Sequence, residues 1–476
     1  MDRLRNMLLY VLILSGIICN VLAIRVNTTG LLQRLSSGAS IDNNNSNAPR
    51  WSLYGAPNPG AVVNVATEQD VLETSLDQVR FCKQKDIPYL AQNGGHGWAT
   101  TFHLGEEGLI INLRLLNAVS FNNDKTQVKI GGGAIMSDLV EAAYANGVLI
   151  PTGTCNCVGG LGAIMGGGFG FLLGRYSLGV DNIISLRTVT AAGRHITVSQ
   201  HENRELFWAM RGAGPNFGIV TSAKYKSYPQ NNDQSFNAWL GTLAFTEDKL
   251  SQLVRALEDT DMTDEMALTV GMVNINSTVT LLANVFYHGT EENGKKAFSS
   301  FYAAGPASDN TQVKRYNKWN EATDAVCGKN TRKPSWGFGL GTLDIKAIQS
   351  TLDQFKQFTS KVNAGVSVTF YKMAMKKART FPDGSSAFPF RAIDYHVLIS
   401  SNYADPRLDS QVVEFGQNIR SLLRRSSGLR KDISYVNNGN GDESLETVFG
   451  GNVARLQAIK RSVDPDNRFD QFFPLL

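Results

Sequence analysis

The chain has 476 residues, 42% of them hydrophobic and 18% charged, with a formal charge of +4. That length exceeds the usual single domain, so two domains, or one large domain with an insertion, are expected. The weak net charge and the lack of a dense Lys/Arg block argue against a nucleic-acid partner, and the composition is that of a folded chain.

The N-terminus reads as a targeting segment. Asp2, Arg3 and Arg5 precede an apolar run from Met7 to about Val21, and Val21-Leu22-Ala23 supplies compact residues for cleavage. This is the pattern of a signal peptide over residues 1–23. The run is short for a membrane span of roughly 20 residues. The mature chain is therefore expected to be secreted, or to reach the secretory lumen, without membrane attachment. Residues 24–50, rich in Asn, Ser and Gly, read as a flexible leader. Asn27, Asn44 and Asn276 head triplets that could accept glycans. Cys82, Cys155, Cys157 and Cys327 remain after the signal, too few for a disulfide scaffold in so long a chain.

From Trp51 the texture is mixed α/β. Strands are expected at Ala61–Val65, Tyr89–Gln92, Leu109–Leu113 and Gln127–Ile130. A helix should open at Thr67, with Asp70 as the acidic partner of a capping box, and run to about Lys85. A second helix, Met136–Asn146, ends at Gly147. Further strands are expected at Ile183–Val189 and His195–Val198, with a short helix at Glu202–Met210. After about Pro229 the glycine density drops. Strand patterns follow at Met266–Val270, Thr278–Leu282, Val366–Phe370 and Tyr395–Ile399, and Ile348–Val362 has helical spacing.

Two glycine-rich segments carry the chemistry. The first is Gln92-Asn93-Gly94-Gly95-His96-Gly97-Trp98. The second begins Gly153-Thr154-Cys155-Asn156-Cys157-Val158-Gly159 and continues through Gly162 to Gly166-Gly167-Gly168-Phe169-Gly170. Glycines let backbone N–H groups turn toward an anionic group and let a flat ligand approach closely. His96 and one cysteine would then be nucleophiles at its edge. Zinc is disfavoured because no second ligand pair accompanies Cys155, Cys157 and His96. The glycine run also lacks the strand and the acidic residue of a Rossmann fingerprint.

In order and spacing these segments resemble the berberine-bridge-enzyme-like oxidases of the vanillyl-alcohol-oxidase superfamily. Phe207–Gly214 with Asn216–Thr221, Phe388–Arg391, and Asn452–Phe469 extend the likeness over roughly residues 51–473. The resemblance implies an α+β fold: a two-part FAD-binding domain of mixed sheets with helices (51–228 and 431–476) and an inserted substrate domain, an antiparallel sheet backed by helices (229–430). It implies FAD attached twice, to His96 and to the cysteine separated by two residues from Val158-Gly159, which is Cys155. Cys157 is left as a buried apolar group, an adventitious thiol or a partner of another cysteine. The implied cofactor-binding set is Gln92, Asn93, Gly94, Gly95, His96, Gly97, Gly153, Thr154, Cys155, Val158, Gly159, Gly162, Gly167, Gly168, Gly170, Asp181, Gly218, Ile219, Val220 and Asn437.

One departure bears on mechanism. The family commonly carries Tyr-x-Asn-Tyr near the C-terminus, its last tyrosine acting as base. Here the segment is Tyr435-Val436-Asn437-Asn438, and an amide cannot take a proton as a phenolate can. Tyr435, Tyr395 and His396 are the catalytic candidates, with Tyr371 as a further substitute. The expected activity is an FAD-dependent oxidase that passes a hydride from a small-molecule alcohol, sugar or secondary metabolite to flavin and then to dioxygen, releasing hydrogen peroxide. An oxidative cyclase and a flavin-binding protein with little turnover are the alternatives.

Overall fold

The computed structural model describes residues 28, 30–43, 48–74, 88–275, 278–382 and 384–476. The signal peptide, the three glycan acceptors and Cys82 lie outside the described residues. No helix among the described residues is long and apolar enough to cross a membrane.

Strand β1 (Ser40–Asp42) pairs antiparallel with β2 (Ala61–Asn64). β3 (Tyr89–Gln92) and β2 each run parallel to β4 (Leu109–Asn112), giving the order β1-β2-β4-β3. β2 and β4 are buried at every position, as expected for strands covered on both faces. The expected capping box is present: the Asp70 amide donates to Thr67 Oγ1 and the Thr67 amide donates to Asp70 Oδ2. A helix follows over residues 68–74.

Of the expected leader 24–50, residues 28, 30–43 and 48–50 are described. Within it β1 is hydrogen-bonded into the sheet, Leu31 is fully covered and Arg50 is buried. Its polar composition hid this order, because backbone pairing carries no side-chain signature.

A second sheet is antiparallel in the order β5-β6-β10-β8-β9. It is built from β5 (Val119–Phe121), β6 (Gln127–Gly131), β8 (Ile183–Val189), β9 (His195–Ser199) and β10 (Ile219–Lys226). The short strands β7 (Val148–Leu149) and β11 (Tyr228–Pro229) pair separately. The closing helix Val453–Val463 returns to this part of the molecule. Lys460, fully buried, donates to Asp464 Oδ2 and to the carbonyls of Asn216 and Phe469.

Residues 237–402 form the large antiparallel sheet. Its strands are β12 (Asn237–Phe245), β13 (Met266–Ile275), β14 (Thr278–Tyr287), β15 (Ser308–Asp309), β16 (Gln312–Arg315), β17 (Ser335–Leu340), β18 (Gly365–Lys372) and β19 (Tyr395–Asn402). The order is β15-β12-β14-β13-β18-β19-β17, with β16 also on β12. Helices Leu250–Asp259, Ile345–Thr359 and Asp409–Arg425 turn Leu253, Leu352, Phe355 and Ile419 onto one face of this sheet. The other face turns His396 and Leu398 toward the two glycine-rich loops.

The join between the two parts is tied by a buried ion pair. Arg391, in the Phe388-Pro389-Phe390-Arg391 motif, donates to Asp181 Oδ1 at 2.7 Å and Oδ2 at 2.8 Å. Ser177 Oγ completes the carboxylate and Ser386 Oγ accepts from the guanidinium. Asp181, expected among the cofactor-binding residues, is thereby engaged away from the cavity. Asp181→Ala should cost about 3–5 kcal/mol, because it strands a buried guanidinium. Asp181→Leu with Arg391→Met should recover most of that loss. Denaturant unfolding of both variants checks the difference.

Candidate active site

The loop after β3 and the loop containing Cys155 meet backbone to backbone. A Cβ placed on Gly94 would lie 2.8 Å from the Cys157 carbonyl oxygen and 2.8 Å from the Gly159 nitrogen. No other residue permits that approach. Asn93 fixes the contact by donating to the carbonyls of Gly132 and Ala134.

Together the loops wall a cavity of about 350 Å³. Gln92 to Gly97, Gly153 to Cys155, Val158, Gly159 and Gly162 line it, as do Tyr435, Asn437, Asn438, Tyr371 and His396. Gly218, Ile219 and Val220 line an adjoining cavity of about 140 Å³, which shares Asn93, Gly162 and Phe472 with the first. Gly167, Gly168 and Gly170 line neither. Gly168, at φ +78°, is packed against Gly179, and its N–H donates to the Tyr435 hydroxyl. The glycine run therefore positions Tyr435 and stands behind the cavity.

His96 is held by stacking and burial. Its ring stacks on Trp51 with centroids 4.5 Å apart. Burial, then the charges of Lys333, Arg50 and Lys329, push its pKa down to about 3, so the imidazole is neutral. Cys155 is the free cysteine among the described residues, and burial raises its thiol pKa. Cys157 forms a disulfide with Cys327, one of the three roles open to it from the sequence. Its sulfur is then unavailable as a thiolate ligand, although its Sγ lies within 4.8 Å of the His96 and Cys155 ligand atoms.

These groups fit a large flat ring with polar edges. Asn93 Oδ1 and Trp98 Nε1 are buried, line the cavity and have no hydrogen-bond partner among the described residues. The glycines leave the floor without side chains. Arg50, which the sequence did not single out, completes the wall, and Trp51 backs the His96 ring. Arg50 donates to Gln92 Oε1 and to the Gly97 carbonyl, and burial lowers its pKa to about 10.

The large sheet supplies the opposite wall. Strand alternation turns His396 and Leu398 of β19 toward the cavity, with Tyr371 of β18 paired across from His396. Tyr395 falls on the other face. It packs with Lys372, whose ammonium caps the carbonyls of Leu257, Glu258 and Thr260. His396 has both ring nitrogens buried without a partner among the described residues. Its ring meets Phe169 edge-on at 5.0 Å, and burial pushes its pKa down to about 4. The Tyr435 hydroxyl accepts from Gly168 N–H and from Asn437 Nδ2, while burial raises its pKa to about 12. Burial does the same for Tyr371.

Residues 59–199 match the FAD binding domain family, and residues 434–471 match the berberine and berberine-like family. The FAD-linked oxidoreductase OXR1 of Pyricularia oryzae is 33% identical over 436 residues, spanning 88% of this chain and 84% of that protein. Among solved structures, BBE-like 1 of Physcomitrella patens aligns with a TM-score of 0.80 at 19% identity, over 94% of this chain and 98% of that one. The carbohydrate oxidase of Microdochium nivale aligns with a TM-score of 0.78 at 21% identity, over 94% and 98%.

His396 should make stability depend on pH. Its pKa is about 4 in the fold against 6.5 for the free group. The unfolded chain therefore takes up the proton first as pH falls below about 6.5. Stability present above that pH is lost progressively down to about 4, amounting to roughly 3 kcal/mol at about 1.4 kcal/mol per pKa unit. Denaturant midpoints across this window should fall more steeply for the wild type than for His396→Leu.

Proposed function

The chain belongs to the berberine-bridge-like FAD-linked oxidoreductases, and on that footing we propose that it is a secreted oxidase carrying FAD bonded to both His96 and Cys155. The observation that carries this reading is the convergence of a neutral imidazole and a free thiol on one cavity. Each stands in a glycine loop that a flat ring can approach. The N-terminal sequence pattern supports secretion.

When bound, the flavin accepts a hydride equivalent from substrate and passes the electrons to dioxygen as hydrogen peroxide. The chain's own residues bind, orient and deprotonate. Neutral imidazole is the nucleophilic form, so the depressed pKa of His96 favours bonding to the flavin's 8-methyl edge. At the opposite wall a proton acceptor is needed for a substrate hydroxyl. Tyr371 and Tyr435 keep their protons at neutral pH, since burial raises both. His396 does not, and its unpartnered nitrogens border the cavity. It is the base in this reading. Tyr435, already accepting two hydrogen bonds, retains its O–H as a donor.

The wall supports one substrate class. Tyr371, Met373, Leu398 and Phe169 face the ligand space, and among the described residues neither Asp nor Glu lines it. An ammonium group would lose its hydration there with no counter-charge. On that sheet wall a sugar's many hydroxyls would meet mainly Tyr371 and His396, and unpaired polar groups are costly. A neutral, largely apolar alcohol fits best.

Acid-precipitated protein should stay yellow. His96→Ala and Cys155→Ala should each leave flavin attached once, as read by peptide mapping. Loss of all colour on precipitation of the wild type would overturn the double attachment. Peroxide assays should favour apolar primary alcohols over oligosaccharides by at least about 100-fold in kcat/KM. His396→Gln should lower kcat by about 100-fold to 10,000-fold while keeping the flavin, and should remove an acidic limb near pH 4. Asn438→Tyr places a phenol at the cavity edge and should raise activity on simple alcohols.

A further inference from the structure

Three sulfurs meet beside His96. The Cys157–Cys327 disulfide joins positions 170 residues apart. Cys155 Sγ stands 3.5 Å from Cys157 Sγ and 4.0 Å from Cys327 Sγ. His96 Nε2 lies 3.2 Å from Cys157 Sγ. Cys155 lines the cavity, and Cys157 stands next to it and against His96.

The same region is strapped down by hydrogen bonds from the segment ending in Cys327. Asn320 Nδ2 donates to the Gly153 carbonyl, Thr323 Oγ1 to the Thr154 carbonyl, and Asn156 Nδ2 to Asp324 Oδ1. The Val326 carbonyl accepts from Trp51 Nε1, so the strap also holds the ring on which His96 stacks.

We propose that the Cys157–Cys327 disulfide selects the flavin-linking cysteine by consuming Cys157 and leaving Cys155 as the thiol at the ring edge. This rests on the double attachment proposed above. The rival arrangement is one exchange away. Attack of the Cys155 thiolate on Cys327 Sγ would break the existing S–S bond, expel Cys157 as a thiolate and form a Cys155–Cys327 disulfide. One disulfide is lost and one gained, so no outside oxidant is involved. That isomer would offer Cys157 to the ring instead.

Linking a thiol to the ring replaces an S–H and a ring C–H by an S–C bond. The two electrons and two protons released pass through the flavin to dioxygen. Once Cys155 is bonded it has no thiolate to offer, and exchange is closed. Cofactor attachment therefore locks the disulfide, and the disulfide locks the strap over the site.

The test is a non-reducing digest of alkylated full-length holoprotein, read by mass spectrometry. Wild type should yield a linked Cys157–Cys327 peptide and a flavin peptide carrying Cys155. Cys327→Ser should divide the flavin between Cys155 and Cys157, with at least about a tenth on Cys157. Cys155→Ser with Cys327→Ser should move it wholly to Cys157. Cys155→Ser alone should leave flavin on His96 only. Flavin confined to Cys155 in Cys327→Ser would overturn the selection while leaving the double attachment standing. So would alkylation of Cys157 and Cys327 as free thiols in the wild type, a result that needs no variant to fold. Wild-type flavin held through His96 alone would instead overturn the double attachment, and the selection with it.

Discussion

The site depends on two backbone segments touching without side chains between them. Gly94 sits against the Cys157 carbonyl and the Gly159 nitrogen, and that contact sets the distance between the imidazole and the thiol. Close-packed interiors transmit small displacements. A methyl group at residue 94 would therefore separate the two nucleophiles and disturb the cavity floor together. Asn93, bonded to the carbonyls beyond β6, holds the loop against the second sheet. The reactive groups thus hang from rigid elements, which suits chemistry that demands fixed geometry.

The two walls of the cavity answer different demands. The loop wall is glycine and backbone, with His96, Cys155, Arg50 and Asn93 as its polar points. The sheet wall is side chain throughout, presented at alternate positions of β18 and β19. They are joined by the Asp181–Arg391 pair on one side and by the segment ending in Cys327 on the other. Buried charge at the first join is satisfied from four directions, and the second combines hydrogen bonds with a covalent link.

Much of this was legible in the sequence, for physical reasons that differ by element. Strands β3 and β8 were found to the residue, because short apolar runs bounded by turn residues have few alternative readings. The family resemblance pointed to Cys155 rather than Cys157, and Cys155 is the free thiol among the described residues. The pairing of Cys157 with Cys327 was not legible, since connectivity is not written in spacing. Asp181 was read as a cofactor ligand because it follows the glycine run, and its actual partner lies 210 residues away. Arg50 carried no signal at all, standing at the end of a polar stretch. Tyr395 and His396 are neighbours in sequence. Only the observed register says that His396 faces the ligand and Tyr395 the helices. Strands β12 and β17, with their interior glycines, broke the alternation by which strands are recognised.

The sheet wall has a consequence for how such a protein diversifies. Tyr371, Met373, His396 and Leu398 reach the cavity from paired strands and their ends, and none of them contacts the disulfide or the Asp181 pair in the hydrogen-bond network. Their neighbours in the chain, such as Val397 and Phe370, are committed to the helix-backed core. Selectivity can therefore drift by single substitutions at Tyr371, Met373 and Leu398, with the glycine loops and the Asp181 pair insulated from the change. A family that keeps its loops and varies this one face can sample new chemistry without first losing its prosthetic group.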